Sequence, residues 1–585
     1  MNDQPYWRPS AYPGRISRRR ALGLAGSGAT GIVLAACSSG NSNNSSGRSV
    51  TTSAGVGAPP AATGTAVSRS NGGTTAAGGS TAAGTPAANE SPVRGGTLRA
   101  GTYLNVLGID PHISVSFELV WINKIYSRLG GYSSTNAKFN PIFAESVEQP
   151  SPTEFIFKLR QGWKFHNIAP VNGREQTAAD ILYSLQRFRD LPQAQGNDFY
   201  KSVVDTMEVP DPYTFRLTTK LPYAETLTEL GNWQILIVPH EAVEKFGDLS
   251  QNAIGAGPFI LDEYVKGEHI ALKRNPDYGD KTLPYLDGYK AITILDPQTL
   301  LQAYKSDQID INGATITKSD YEDLQKNNKL VNSKIPALYY GSFAMNASIK
   351  PYNDKRVRQA LYVGIDRGQF IDKVGEGDGV PMGPLSAGLD FWALSQDELK
   401  PYIGLDVKKA KDLLAAAGYA NGFDVTIETS GGVPLYISHA NIMVSELKKL
   451  GINAKLNLTD LPSYLSDKLF KGDFDTTIFT HNPYETPKVP IGFYHKNGIG
   501  SGSWWHYDNE DISAAIDAEN QEVDVNKRQQ LVKQVQKMIL DDAGPLLNLF
   551  SLTQYNSMNR RVGGFDLALR QWQYLRNSEY IRPTL

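Results

Sequence analysis

Cysteine is all but missing: the 585-residue chain has one, Cys37. No disulfide can close within the chain, and no cysteine-based metal site can be assembled. Positive charge is not in excess either. Lys and Arg number 58 against 60 Asp and Glu, a formal net charge of −2, which removes the basic footprint that nucleic-acid binding requires. The familiar catalytic signatures are also lacking. There is no Gly-x-Ser-x-Gly elbow, no Walker loop and no His-Glu-x-x-His. The eight histidines are scattered, and none pairs with another at helical ligand spacing. A glycosidase pair of carboxylates is defined by spatial separation, which sequence spacing leaves open. What is present is a globular composition, 41% hydrophobic and 20% charged, with 29 Tyr and 8 Trp. The length suits several domains or one large multi-lobed unit with a sizeable core.

The single cysteine has an informative position. Arg8, Arg15 and Ser17-Arg18-Arg19-Arg20 precede an uncharged stretch, Ala21 to Ala36, which ends Leu34-Ala35-Ala36-Cys37. A basic start, a short apolar segment and small residues before a cut site make a signal peptide over residues 1–36. The apolar stretch is too short and too rich in Gly to be a membrane span. Its paired arginines resemble a twin-arginine export signal, with Sec export as the alternative. The Leu-Ala-Ala-Cys ending resembles a lipobox, which would make Cys37 the lipidated new N-terminus. Gly26-Ser27-Gly28-Ala29-Thr30-Gly31 fits the dinucleotide fingerprint G-x-G-x-x-G, but no strand precedes it and export would remove it. Losing five Arg and one Asp leaves a mature formal charge of −6.

Residues 38–93 are nearly all Ser, Gly, Thr, Ala, Asn and Pro, with Arg48, Arg69 and Glu90 as their only charges. Such a segment cannot bury enough apolar area to offset chain entropy. It reads as a flexible tether with an end-to-end distance of roughly 40 Å.

From Arg94 the texture changes. Glu154 to Arg160 and Thr214 to Thr218 alternate as strands. Thr177-Ala178-Ala179-Asp180 opens a helix with Ile181, Leu182, Leu185 and Phe188 on one face. Asp406 caps a second helix that ends at Gly418. Phe423 to Glu428 is a strand. A helix carrying Ile442, Met443, Leu447 and Leu450 follows, and then a strand from Ile452 to Leu458. This strand–helix–strand crossover predicts parallel pairing. A late helix carries Leu531, Val535, Met538 and Ile539. Two loops combine rings with hydrogen-bonding groups, as ligand-capturing loops do: Phe479 to Glu485 and Gly502 to Tyr507.

Several stretches, in order, resemble the extracytoplasmic solute-binding family 5, which includes the oligopeptide- and dipeptide-binding proteins of ABC importers. They are Gly95-Gly96-Thr97-Leu98, Pro141 to Ser146, Phe155 to Asn167, Thr177 to Arg187, Gly255 to Phe259, Arg274 to Tyr278, Asn346, Asp354 to Leu361 and Ile365-Asp366-Arg367. The resemblance implies an α/β fold of the type II periplasmic-binding-protein kind, with two hinged lobes and an extra inserted domain. Lobe I would comprise 94–123, 239–341 and 547–585, the inserted domain 124–238, and lobe II 342–546. The chain would cross between lobes near Tyr339-Tyr340 and Leu546 to Phe550. A solute would be trapped in the cleft by hinge closure, and the closed form, a monomer, would dock on a membrane permease. No cofactor or metal is implied.

One departure bears on the ligand. Peptide binders of the family carry Trp-x-x-Asp in the last lobe, the Asp pairing with the peptide ammonium. Here the strand end reads Thr480-His481-Asn482-Pro483-Tyr484-Glu485. The Trp and Asp are absent, Asn482 is neutral, and Glu485 is the nearest acid that could substitute. Sugars or other small polar solutes therefore stand beside peptides as expected ligands. The candidate pocket residues are Tyr103, Asn105, Tyr340, Phe343, Asn346, His481, Asn482, Tyr484 and Trp504. Two other readings share the anchor: a secreted hydrolase, and a surface receptor with no transport role.

Overall fold

The structure is a computed structural model that describes residues 91–103, 108–113, 119–133, 137–194, 196–313, 315–481, 483–498, 503–565 and 580–581. The export segment, Cys37, the tether, Asn105 and Asn482 lie outside these residues. In chain order the main strands are β1 (Thr97–Thr102), β2 (Gly130–Ser133), β3 (Lys138–Pro141), β4 (Ala144–Ser151), β5 (Glu154–Leu159), β6 (Val204–Asp211), β7 (Thr214–Thr219), β8 (Phe259–Val265), β9 (His269–Arg274), β10 (Gly288–Thr293), β11 (Leu330–Met345), β12 (Gly379–Pro381), β13 (Asp424–Ser430), β14 (Asn453–Thr459), β15 (Thr476–His481) and β16 (Leu546–Asn559).

They form three larger sheets. One has the order β1-β10-β9-β8, with β1 parallel to β10. A second, β4-β5-β7-β6, is antiparallel and comes from the segment between β1 and β8. A single hydrophobic core runs through both, from Leu98 and Tyr289 to Phe157, Leu185 and Phe215. The glycines of Gly255-Ala256-Gly257 let the turn at 124–126 press against them. A Cβ at Gly255 would lie 2.3 Å from the Ile125 carbonyl oxygen, and one at Gly257 would lie 2.5 Å from that of Lys124.

The third sheet has the order β12-β16-β11-β15-β13-β14. Its strands alternate, as the two-residue period of a strand requires. Phe343, Met345, Ile427 and Ile478 face one core. Leu338, Ala344, Phe479 and Leu546 face another. The expected crossover is present: β13 pairs with β14 in parallel from Asp424↔Asn453 to Ser430↔Thr459, joined by the helix Pro434–Lys449. The helix Val407–Ala416 starts where expected, the Asp406 carboxylate accepting from Lys409 N at 2.8 Å. It is capped by Ala417, and Gly418 follows with φ +92°.

Two buried arginines in the stretch 354–367 explain that stretch. Arg358 donates to the carbonyls of Tyr352, Ala543 and Asp542, tying the helix Lys355–Gly364 to the C-terminal end of the helix Val525–Asp541. Arg367 donates to the carbonyls of Tyr362 and of Asn548 in β16.

Strands β11 and β16 belong to more than one body. Their distal halves pair from Leu330↔Asn559 to Pro336↔Thr553. They are anchored there to the first sheet through Ile311, which bridges both Ala100 and Met558, and through Asp310, which accepts from Arg99 and Arg561. Their proximal halves lie in the middle of the six-stranded sheet. The register breaks between Pro336 and Tyr340 and again before Ser342.

Candidate functional site

The break in β11 is where chemistry gathers. β15 joins β11 at this point, with Tyr340 directly opposite His481. Cross-strand neighbours on one face have their Cβ atoms about 5 Å apart, and the two rings stack, centroids 4.4 Å apart and 21° from parallel. Around His481 stand Phe479 at 4.6 Å, Phe493 at 5.1 Å and Tyr484 at 6.4 Å. Phe493 carries the wall on to Trp504 at 5.8 Å and Trp505 at 6.0 Å. Trp505 stacks in turn on Phe479.

Every one of these groups is uncharged at neutral pH. Burial pushes the His481 imidazole down to about 3 and the Tyr484 phenol up to about 12. The Tyr340 phenol, also buried, is held well above its usual range. Tyr340 Oη and His481 Nε2 have no hydrogen-bond partner among the described residues. Two adjacent buried polar atoms left this way are costly unless something meets them.

The opposite face of β11 is closed by a second histidine. His439, from the helix Pro434–Lys449, donates from Nδ1 to the Leu435 carbonyl, 2.8 Å away. Its ring lies between Phe370 and Phe550 and against Gly341, where a Cβ would fall 2.5 Å from Nε2. Burial lowers its pKa as well. The connection is steadied from the side by the loop after β12. Ser386 Oγ donates to the Ala337 carbonyl at 2.7 Å and meets Ser551 Oγ at 3.0 Å. Asn548 accepts from Ser342 Oγ and donates to the Gly383 and Pro384 carbonyls.

Of the residues singled out in the sequence, Tyr340, His481, Tyr484 and Trp504 share this aromatic wall. Tyr103 follows β1 in the other body, half-buried, and raises the pKa of the neighbouring Tyr339 phenol, which burial has already raised. Phe343 points to the opposite face of β11, in the core with Ile427 and Ile478. Asn346 is occupied internally: its amide donates to the Phe474 carbonyl and its oxygen accepts from Ser348. Asn105 and Asn482 lie outside the described residues. Sequence reasoning missed Tyr339, Phe493 and Ser386. Tyr339 sits beside a residue already flagged, but Phe493 and Ser386 carry no local signal.

Two surface hollows are present, one on the outer side of Trp504 and one away from the wall. One of about 510 Å³ is lined by Phe470, Lys496 and Trp504, and another of about 460 Å³ by Arg189, Tyr200 and Lys220. Among the described residues no His, Cys, Asp and Glu cluster could hold a metal ion, and no helix is long and apolar enough to cross a membrane.

The model of the bacterial extracellular solute-binding proteins, family 5 Middle, matches residues 138–501. The oligopeptide-binding protein AppA of Bacillus subtilis (strain 168) is 29% identical over 63% of this chain and 70% of its own length. The probable deoxycholate-binding periplasmic protein YgiS of Escherichia coli (strain K12) is 26% identical over 71% of this chain and 80% of its own. Among solved structures, the PBP AgaA from A.tumefacien R10 in complex with agropinic acid is 26% identical, with a TM-score of 0.63 over 84% of this chain and 99% of its own. The architecture is thus α/β and like that of the periplasmic binding proteins.

Proposed function

We propose, from the premise that this chain belongs to family 5 of the bacterial extracellular solute-binding proteins, that it captures a small solute between its two bodies and delivers it to an ABC permease. Relatives in the family are extracytoplasmic binding proteins, named for oligopeptides and dipeptides among other solutes. The observation that carries the reading is the stacked Tyr340–His481 pair at the break in β11, whose buried Oη and Nε2 have no partner among the described residues. The break provides a place to bend, and the pair presents hydrogen-bonding groups within an aromatic wall. Tyr340, His481, Tyr484 and Trp504 line the solute site from one side, and Tyr103 lines it from the other. Cys37 carries the lipid, 38–93 is the tether, and the folded body, 94–585, works as a monomer at the outer membrane face. The lobes follow the boundaries given above, and no bond in the solute is broken.

The wall carries no charge at neutral pH, so binding does not depend on a free ammonium group in the solute. N-acetylated peptides, bile-acid-like or opine-like solutes can fill it as well as free peptides. Native mass spectrometry of the purified chain should find a co-purified solute. Titration calorimetry should then give affinities for a tripeptide and its N-acetyl form within about tenfold, roughly 1.4 kcal/mol. A loss of a hundredfold or more on acetylation would sink the ligand class. Chemical turnover of a bound solute would overturn the binding-protein reading itself. Incorporation of an alkyne fatty acid into the wild-type chain but not into Cys37→Ser tests the anchor.

A further inference from the structure

The two bodies meet a second time, away from the covalent crossing. The segment around 223–229 belongs to the first body and reaches the helices Glu510–Gln521 and Val525–Asp541, which pack on the six-stranded sheet. Arg528 lies at the centre. Its Nη2 is 2.5 Å from Glu225 Oε1, and its Nε donates to Glu519 Oε2 at 2.9 Å. All three side chains are almost fully buried, 4%, 2% and 0% exposed. The guanidinium also covers the Trp392 ring at 5.1 Å. Beside it, Lys488 Nζ pairs with Glu229 Oε1 at 3.2 Å and lies over the Tyr223 ring. The Ala224 N–H donates to the Asn520 carbonyl.

Glu225, Glu229 and Tyr223 come from the first body, and Arg528, Glu519 and Lys488 from the second. The crossing strands are continuous chain and cannot separate. Any opening of the bodies must therefore be taken up at contacts such as these. Within the second body Arg528 has one carboxylate, Glu519, and the second arrives only when the bodies meet. A buried charge pair resists separation more than it speeds encounter.

We propose that Glu225 and Arg528, supported by Lys488–Glu229, form an interlobe clasp that holds the closed state and sets how long a solute stays inside. The proposal rests on the reading that the bodies open and close around a solute. The test needs no solute, so its outcome is separable from the failure of that reading. In a Cys37→Ser background the chain has no other cysteine. Cysteines at the exposed Lys220 and Gln534 then give one spin-label pair spanning the bodies. Glu225→Gln keeps the Arg528–Glu519 pair intact and should raise the ratio of long to short label distances at least about thirtyfold, the least that removing one partner of a buried charge pair is expected to do. Arg528→Gln should do the same, and Glu225→Gln decides if that chain does not fold. Glu208→Gln, which breaks only the surface pair with Arg216, should leave the distances unchanged. Superimposable distance distributions for wild type and Glu225→Gln would overturn the clasp. So would an equal shift in Glu208→Gln.

Discussion

Gly341→Ala is the sharpest probe of how β11 is built at its break. The backbone there does not require glycine, because its φ is not in the left-handed region. The space does. The new Cβ would meet His439 Nε2 at 2.5 Å and Cδ2 at 2.7 Å, about 1 Å inside a normal contact of 3.5–4.0 Å. The imidazole cannot easily swing away. Its Nδ1 is bonded to Leu435, and Phe370 and Phe550 flank it, each with ring centroid 6.1 Å away. Overpacking of this kind costs about 1–3 kcal/mol. Loss of glycine freedom in the unfolded chain returns about 0.4–1 kcal/mol, so the net destabilisation should be about 1–2 kcal/mol. The urea midpoint of Gly341→Ala should fall accordingly. In a His439→Ala background the methyl group enters vacated space, and the same substitution should be neutral or mildly stabilising. The double-mutant cycle should then show a coupling equal to the overpacking term, about 1–3 kcal/mol. A midpoint unchanged by Gly341→Ala, or a cost that persists without His439, would refute the packing argument.

Arg358→Met should cost about 2–4 kcal/mol in urea unfolding, because it strands the Tyr352, Ala543 and Asp542 carbonyls and breaks a partly buried ion pair with Asp542. Asn548→Ala should loosen the 382–389 loop, seen as faster amide exchange there, since three buried hydrogen bonds run through its side chain. Stability should fall as pH drops below 6.5. Burial lowers His112 and His166 to about 4 and His481 to about 3, so the unfolded chain takes up protons first. Each histidine contributes stability fully present above its unfolded pKa and lost on the way down to the folded one, about 2 kcal/mol per residue between pH 6.5 and 5. Urea midpoints measured across that range should show a shallower slope for His481→Phe. An unchanged slope would mean that His481 does not titrate as its burial requires.

Some of this organisation is legible residue by residue. Asp406 and Gly418 mark a helix because a carboxylate can cap free N–H groups and glycine accepts a left-handed turn. The parallel pair β13–β14 follows from two alternating runs separated by one helical period. The aromatic loop residues stand out by type, so Tyr484 and Trp504 could be singled out. Phe493 could not, since adjacent rings such as Phe493-Tyr494 after a short helix do not say which of them will face the wall. Phe343 and Asn346 looked similar to Tyr340 in sequence. On a strand, however, neighbouring residues face opposite ways, and the pairing of β11 with β15 and β16 decides which face meets which core.

What the sequence determined by itself was therefore local and compositional. It set the periodicities, the caps, the ordered family-like stretches and the two ring-rich segments, Phe479 to Glu485 and Gly502 to Tyr507. Tertiary structure decided what depends on distant partners. Tyr340 meets His481 only because β15 pairs beside β11, and it is burial within that packing that keeps the imidazole neutral. Glu225 and Arg528 look like ordinary surface charges in the chain and become a buried pair only when two separately cored bodies touch. Short-range chemistry is written in neighbouring residues. Register, desolvation and contact between bodies arise from the whole fold, because they depend on which distant surfaces exclude water together.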